Sequence, residues 1–216
     1  MFYVDINENR TIVFTYKNDT ITPVFKNKKI RRANLIINVP ALVRFTTYPA
    51  IKNKKYFDSM VKNSLNEHFP VNLSEYTVDY RVLNNGQTLL VAAKTELIEH
   101  YIERAKTVIT GSIQSIDLYQ NFVGKHISKK EQGNILVVTR QKDSAILQFI
   151  SNTEPTAITD CDYTNLERTF SPYISLDGST TIERAYLQKT LQNTLATYLD
   201  NLGVNIQTFE EVADLP

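Results

Sequence analysis

The chain has a single cysteine, Cys161, in 216 residues. No internal disulfide can form, so a reducing, cytosolic setting is expected, and a lone thiol of this kind is usually a small packed residue. Glycine is scarce too, with six in the whole chain, which leaves few places where bare backbone can close around a ligand. Neither sign of charge dominates: 24 Lys and Arg stand against 23 Asp and Glu, and no global attraction to nucleic acid follows. No apolar run approaches the roughly 18 to 20 residues of a membrane span. The opening "MFYVDINENR" carries acid where a signal peptide would carry base followed by an apolar run. The three histidines, His68, His100 and His126, share no metal-ligand spacing. His100 with Glu96 or Glu103 reads as a solvated helix face, Glu75 and Asp79 as the polar face of one strand, and no nucleophile turn is present. No catalytic constellation, cofactor or metal is therefore expected.

What is present suits a globular protein: 42% hydrophobic and 22% charged residues, in a chain long enough to bury roughly 70% of its unfolded surface. The first 49 residues read as strands ("MFYVD", "TIVFTYK", "TITPVF", "NLIINVP", "LVRFTTYP") separated by turn signals such as Lys17-Asn18-Asp19. The first three look like a meander, so the opening sheet should be largely antiparallel. Phe57, Met60, Val61, Leu65 and Phe69 then recur at spacings of three and four, predicting a helix that Pro70 ends. Tyr76, Val78, Tyr80 and Val82 alternate on one face of a strand, and Asn84-Asn85-Gly86 supplies a hairpin turn with positive φ before "TLLVAA". Thr95 is placed to cap a helix with the stripe Leu97, Ile98, Tyr101, Ile102, Ala105, Val108 and Ile109. "SIQSID" reads as a strand, "LYQNFVGKHI" as a short helix ending near Gly124, and "SKKEQGN" as a polar connection.

Beyond that connection the pattern restarts. "ILVVTR", "AILQFI" and "TAITDCDY" are three successive strands. A long closing helix is expected from a Thr180 and Glu183 capping box, the stripe Leu187, Leu191, Leu195, Tyr198, Leu199 and Leu202, and the stop at Gly203. The ending "TFEEVADLP" shows no helix stop or packed strand of its own. It reads as a boundary, and a membrane helix after Pro216 is one alternative.

Taken in order, "LIINVPALVRFTTYP", "YFDSMVKNSLNEHFPVNLSEYTVDYRVL", "TLLVAAKTELIEHYIERAKTVI" and "SIQSIDLYQNF" resemble the PilM family of type IV pilus assembly proteins and the related cytoplasmic domain of the type II secretion L component. Phe69-Pro70, Asp79-Tyr80, Leu89 to Ala93 and Asp117 occupy the places of the family's helix-ending aromatic-proline turn, its Asp-Tyr strand, its Leu-Leu-Val-Ala-Ala strand and its strand ending in Asp. The resemblance covers residues 1 to about 165. It implies an α/β (α+β), actin-like fold: two ribonuclease-H-like units with mixed five-stranded sheets and an inserted small αβ subdomain. The expected division is 1–130, with the insertion at about 40–95, and a truncated second unit at 131–216.

Actin-like ATPases hold triphosphate with two glycine-bearing hairpins and a metal-binding aspartate. Here Asp5 keeps the aspartate's place, but Asn7 stands where the family has glycine, and Thr139, Arg140 and Gln141 stand where Asp, Ile and Gly are expected. The phosphate loops are degenerate, so weak or no ATP binding is expected. The resemblance implies a non-enzymatic cytoplasmic scaffold of a pilus or type II secretion platform, with an actin-like ATPase or kinase with atypical loops as the alternative. Its implied partners are the N-terminal segment of a bitopic, PilN-like inner-membrane protein, the assembly ATPase and the platform protein, with a homodimer compatible; nucleic acid is not among them. The implied groove would draw on Pro40, Leu42, Phe57, Val61, Leu65, His68, Phe69 and Val71, most of which must also serve the core. Two basic loops, "KNKKIRR" at 26–32 and Lys52, Lys54 and Lys55, are either solvated or face anionic lipid or an acidic partner.

Overall fold

The structure, a computed structural model, describes residues 1–216 except 9, 25–29, 142–143, 190, 192, 213–214 and 216. In chain order, strands β1 (Phe2–Ile6), β2 (Thr11–Lys17), β3 (Thr20–Pro23), β4 (Ile30–Ile37) and β5 (Ala41–Thr47) precede helix α1 (Lys54–His68). Strands β6 (Tyr76–Val82) and β7 (Gln87–Lys94), helix α2 (Thr95–Ala105), strand β8 (Ile109–Leu118) and helix α3 (Tyr119–Lys130) follow. The remainder is β9 (Asn134–Gln141), β10 (Ser144–Ser151), β11 (Glu154–Asp160), α4 (Leu166–Phe170), β12 (Arg184–Gln188), α5 (Asn193–Asn201) and β13 (Asn205–Phe209). No helix among the described residues is long and apolar enough to cross a membrane.

Contacts divide the chain into Met1–Asn38 with Tyr101–Pro216, and Val39–His100. The first unit holds two five-stranded sheets, ordered β3-β2-β1-β4-β8 and β11-β10-β9-β12-β13. In each, the first three strands are antiparallel and the last two join in parallel. The repeat of pattern in the sequence is thus a repeat of topology. It also makes the opening sheet mixed rather than largely antiparallel, because β4 and β8 enter alongside β1 in its own direction. Parallel strands covered on both faces read as continuous apolar runs. That accounts for "ILVV" in β9: Leu136 and Val138 join a cluster with Leu147, Phe170, Leu195 and Leu199. Ile135 and Val137 face the opposite way, toward Phe122, Val123 and Ile127 of α3 and Phe14 and Ile36 of the first sheet.

Several local expectations are corrected. Residues 184–188 form not the start of a long helix but strand β12, paired in parallel with β9 and β13. Leucines four apart fit a helix or a buried strand followed by a helix, and the slot between β9 and β13 decides for the latter. Thr180 and Glu183 make no capping box: the Thr180 hydroxyl accepts from the Ile182 amide at 3.1 Å, and Glu183 accepts from the Asn134 amide at 3.2 Å. Gly203 does end α5, at φ +74° with the Val204 amide donating to the Leu199 carbonyl at 3.1 Å. Helix α3 runs through Gly124, where a Cβ would lie 2.1 Å from Gln148 Oε1; the glycine serves close packing rather than a stop. Thr95 begins α2 itself and shares a 3.1 Å hydrogen bond with Thr77. In the β6–β7 turn only Gly86 takes a positive φ, with its amide donating to the Leu83 carbonyl at 3.0 Å. Val82 is exposed rather than on the buried face. "TFEEVADLP" opens within β13, and Phe209 and Val212 are buried in the core; its residues 213, 214 and 216 lie outside the described ones.

The second unit is the antiparallel sheet β5-β7-β6, with α1 packed against it through a cluster around Val61, Phe69, Leu90 and Ala92. Asn53 caps α1 by accepting from the Tyr56 amide. At the other end the Phe69 amide closes the last turn on the Leu65 carbonyl at 3.0 Å. Pro70 prevents continuation, and the Val71 amide folds back to the Phe69 carbonyl at 2.8 Å. Asn72 then accepts from the Ser74 amide to cap the short turn Leu73–Glu75, which leads directly into β6.

Candidate functional site

The two hairpins that correspond to phosphate loops lie in the first unit. Asp5 sits on β1, between β2 and β4, with no solvent exposure. Neither carboxyl oxygen has a hydrogen-bond donor among the described residues. Burial pushes the carboxyl up to about 7, against the pull of the Arg10 guanidinium 3.9 Å away and with a further push from Glu211. Asn7 closes its turn with both ends: its amide donates to the Arg10 carbonyl at 3.1 Å, and its side-chain oxygen accepts from the Arg10 amide at 3.0 Å. A glycine would leave that space bare. The Arg10 guanidinium is ion-paired with Glu211, beyond β13.

At the second hairpin, Thr139 and Gln141 are buried members of β9. The Arg140 amide donates to Gln188 at 2.8 Å and the Arg140 carbonyl accepts from Asn38 at 2.8 Å. Residues 142 and 143 of this loop, and 9 of the first, lie outside the described ones. The Asn7, Arg10 and Arg140 amides therefore already have side-chain or backbone partners, and the Arg10 guanidinium is paired with Glu211. A triphosphate site needs free amides and uncommitted positive charge. Sequence reading missed Arg10, Gln188 and Glu211, since no local signal links residues 201 positions apart.

The groove residues lie in the second unit. Val61 and Phe69 are 2% and 1% exposed, so they are core rather than contact surface. Leu42, Phe57, Leu65 and Val71 pack around that core while staying partly open. His68 lies at the rim, its ring edge-on to Tyr48 with centroids 6.0 Å apart, and Pro40 is exposed outside the cluster. Two tyrosines absent from the expected groove set pack with these residues. Tyr48 shares a 2.5 Å hydrogen bond with Ser64 and touches Phe57 edge-on. Tyr80 donates to Asp58, and that bond pushes its hydroxyl up to about 12. Their signal was position: Tyr48 follows β5 and Tyr80 lies on the inward face of β6. Both β5 and β6 are edges of this three-stranded sheet, and such edges accept extended chains. The unit thus presents two sheet edges beside partly open apolar and aromatic side chains. Among the described residues, no group of three or more His, Cys, Asp or Glu is placed to hold a metal.

No family model and no curated protein matches the sequence. Solved structures do match. A chain of the PilM-PilN type IV pilus biogenesis complex is similar at a TM-score of 0.65 and 13% identity, over 96% of this chain and 87% of that one. A Bacteroides thetaiotaomicron protein with an actin-like ATPase fold aligns at a TM-score of 0.58 and 10% identity, over 96% and 90%. The cytoplasmic domain of EpsL, an inner-membrane component of the type II secretion system of Vibrio cholerae, aligns at 0.54 and 9%, over 97% and 85%. The chain thus has the actin-like fold, mixed α/β with two duplicated five-stranded sheets, and resembles the pilus and secretion structures along nearly its whole length.

Proposed function

We propose that this protein is a non-enzymatic scaffold of a type IV pilus or type II secretion platform at the cytoplasmic face of the inner membrane. It binds an extended N-terminal segment of a bitopic, PilN-like membrane protein in the groove of Val39–His100 and links that partner to the assembly ATPase and platform protein. The observation that carries the reading is the likeness to the PilM-PilN complex across 96% of the chain, joined to a groove whose rim is apolar and aromatic. A synthetic peptide from the N-terminus of a neighbouring bitopic pilus protein is expected to bind in calorimetry. Leu65→Asp and Leu42→Asp should abolish binding while circular dichroism stays unchanged, since both side chains are only partly covered. No binding by the native chain overturns the assignment.

The second reading, an actin-like ATPase or kinase, is favoured by one feature, the retained Asp5. The engaged hairpin amides and the Arg10–Glu211 pair argue against it. Calorimetry with Mg-ATP decides: micromolar affinity overturns the non-enzymatic reading. Self-association belongs to the scaffold reading and is checked by sedimentation.

A further inference from the structure

The lysines of the second basic loop do not scatter. Lys52 precedes the Asn53 cap, Lys54 and Lys55 open α1, and Lys62 lies two turns on; all four are exposed. Residues 55, 59, 62, 63 and 66 recur at helical spacing on the side of α1 opposite Val61, and all are exposed. Of the two acids in α1, the Asp58 carboxylate is engaged by the Tyr80 hydroxyl, and the exposed Glu67 stands at the far end of the helix from the lysine cluster. The first turn of α1 has no acid, although a helix start favours negative charge. Local stability is conceded there to positive charge, which is what a functional surface does. Among these lysines Tyr56 projects with 72% of its surface exposed, and Ile51 is partly open beside it.

We propose that this outer face of α1, formed by Lys55, Lys62 and Tyr56 with Lys52 just before the helix, docks on an anionic lipid surface. Charge complementarity and composition select the occupant. Lysine is depleted at protein interfaces, where arginine's rigid fork is preferred. A compact charge on a flexible stem suits the diffuse field of lipid headgroups. An exposed tyrosine is the side chain that settles at headgroup depth, with its ring inward and its hydroxyl in water. The peptide groove uses the other side of α1, so lipid docking does not depend on peptide binding, and either can fail alone.

The test is flotation of the full chain with vesicles of phosphatidylcholine, and with the same vesicles containing one third phosphatidylglycerol. Binding is expected to the anionic vesicles alone and should weaken as salt shortens the screening length. Each Lys→Gln change should reduce partitioning about fivefold, so the triple variant K52Q/K55Q/K62Q should lose roughly a hundredfold. Tyr56→Ser should weaken binding at every salt concentration and leave the salt slope intact. Peptide calorimetry should be unchanged in all of these variants. Equal binding to neutral vesicles, no binding to anionic ones, or a triple variant that floats like the native chain overturns the proposal. If poly-glutamate rather than vesicles shows the lysine dependence, the face belongs to an acidic protein and the lipid assignment falls.

Discussion

Replacing Asp5 by asparagine should shift stability in the variant's favour by an amount that grows with pH. Asp5 is fully buried, with Arg10 and Glu211 as the charged groups that act on it among the described residues, and its carboxyl is pushed from 3.8 up to about 7 by burial. Its folded value lies above its unfolded one, so the fold favours the neutral acid. Below about pH 3.8 the group is protonated in both states and costs nothing. Between there and about pH 7 the unfolded chain ionises while the folded chain does not, and stability falls by about 1.4 kcal/mol per pH unit. Above about pH 7 the penalty levels off near three units, on the order of 4 kcal/mol. An asparagine at this position carries no such titration. Its amide also needs partners that the pocket lacks, an offset of about 1 to 3 kcal/mol that does not vary with pH. Urea unfolding of both proteins at about pH 4.5, 6 and 7.5 measures the difference, in which other titrating groups shared by both largely cancel. The advantage of D5N over the native chain should increase by roughly 3 kcal/mol across that range. A difference that is flat with pH, or that shrinks as pH rises, would refute the account of Asp5 as a penalised buried acid.

Close-packed glycines give two further tests. Gly124→Ala would drive a Cβ into the buried Gln148 side chain and should cost about 1 to 3 kcal/mol despite alanine's better helix propensity; Q148A in the same chain should recover most of the loss in a double-mutant cycle. Gly111→Ala would place a Cβ 2.1 Å from the Arg31 carbonyl oxygen, where β4 and β8 slip register, and should lower the urea midpoint with no side-chain change able to rescue it. Phe69→Ala should cost about 3 to 5 kcal/mol of stability as a core cavity, whereas Leu65→Ala should cost less and chiefly weaken peptide affinity. Equal stability losses for the two would place Leu65 in the core instead of the groove.

Elements with strong local signals were legible from the residues alone. The periodic stripe of α1, its stop at Pro70, both three-strand meanders and the Lys17 to Thr20 turn appear where the pattern put them, because each depends on neighbours within a few positions. The actin-like fold was an expectation from the family resemblance that an ordered set of such segments carries. The restart of the three-strand pattern was legible too, but the shared strand order, β3-β2-β1-β4-β8 and β11-β10-β9-β12-β13, is visible only in the sheets.

What only the tertiary structure decided lies where distant segments compete with local preference. Residues 184 to 188 carry leucine spacing suited to a helix, yet pairing with β9 and β13 holds them extended. Gly124 suggests a helix end, yet α3 continues past it to bury Ile127, and the missing side chain at 124 leaves room for Gln148. Val61, Leu65 and Phe69 share one apolar stripe, and only packing against Leu90 and Ala92 separates the two core members from the partly open Leu65. The Arg10–Glu211 pair joins positions 201 residues apart. Periodicity encodes which face of an element avoids water, but which distant surface covers that face is set by the folded neighbours alone.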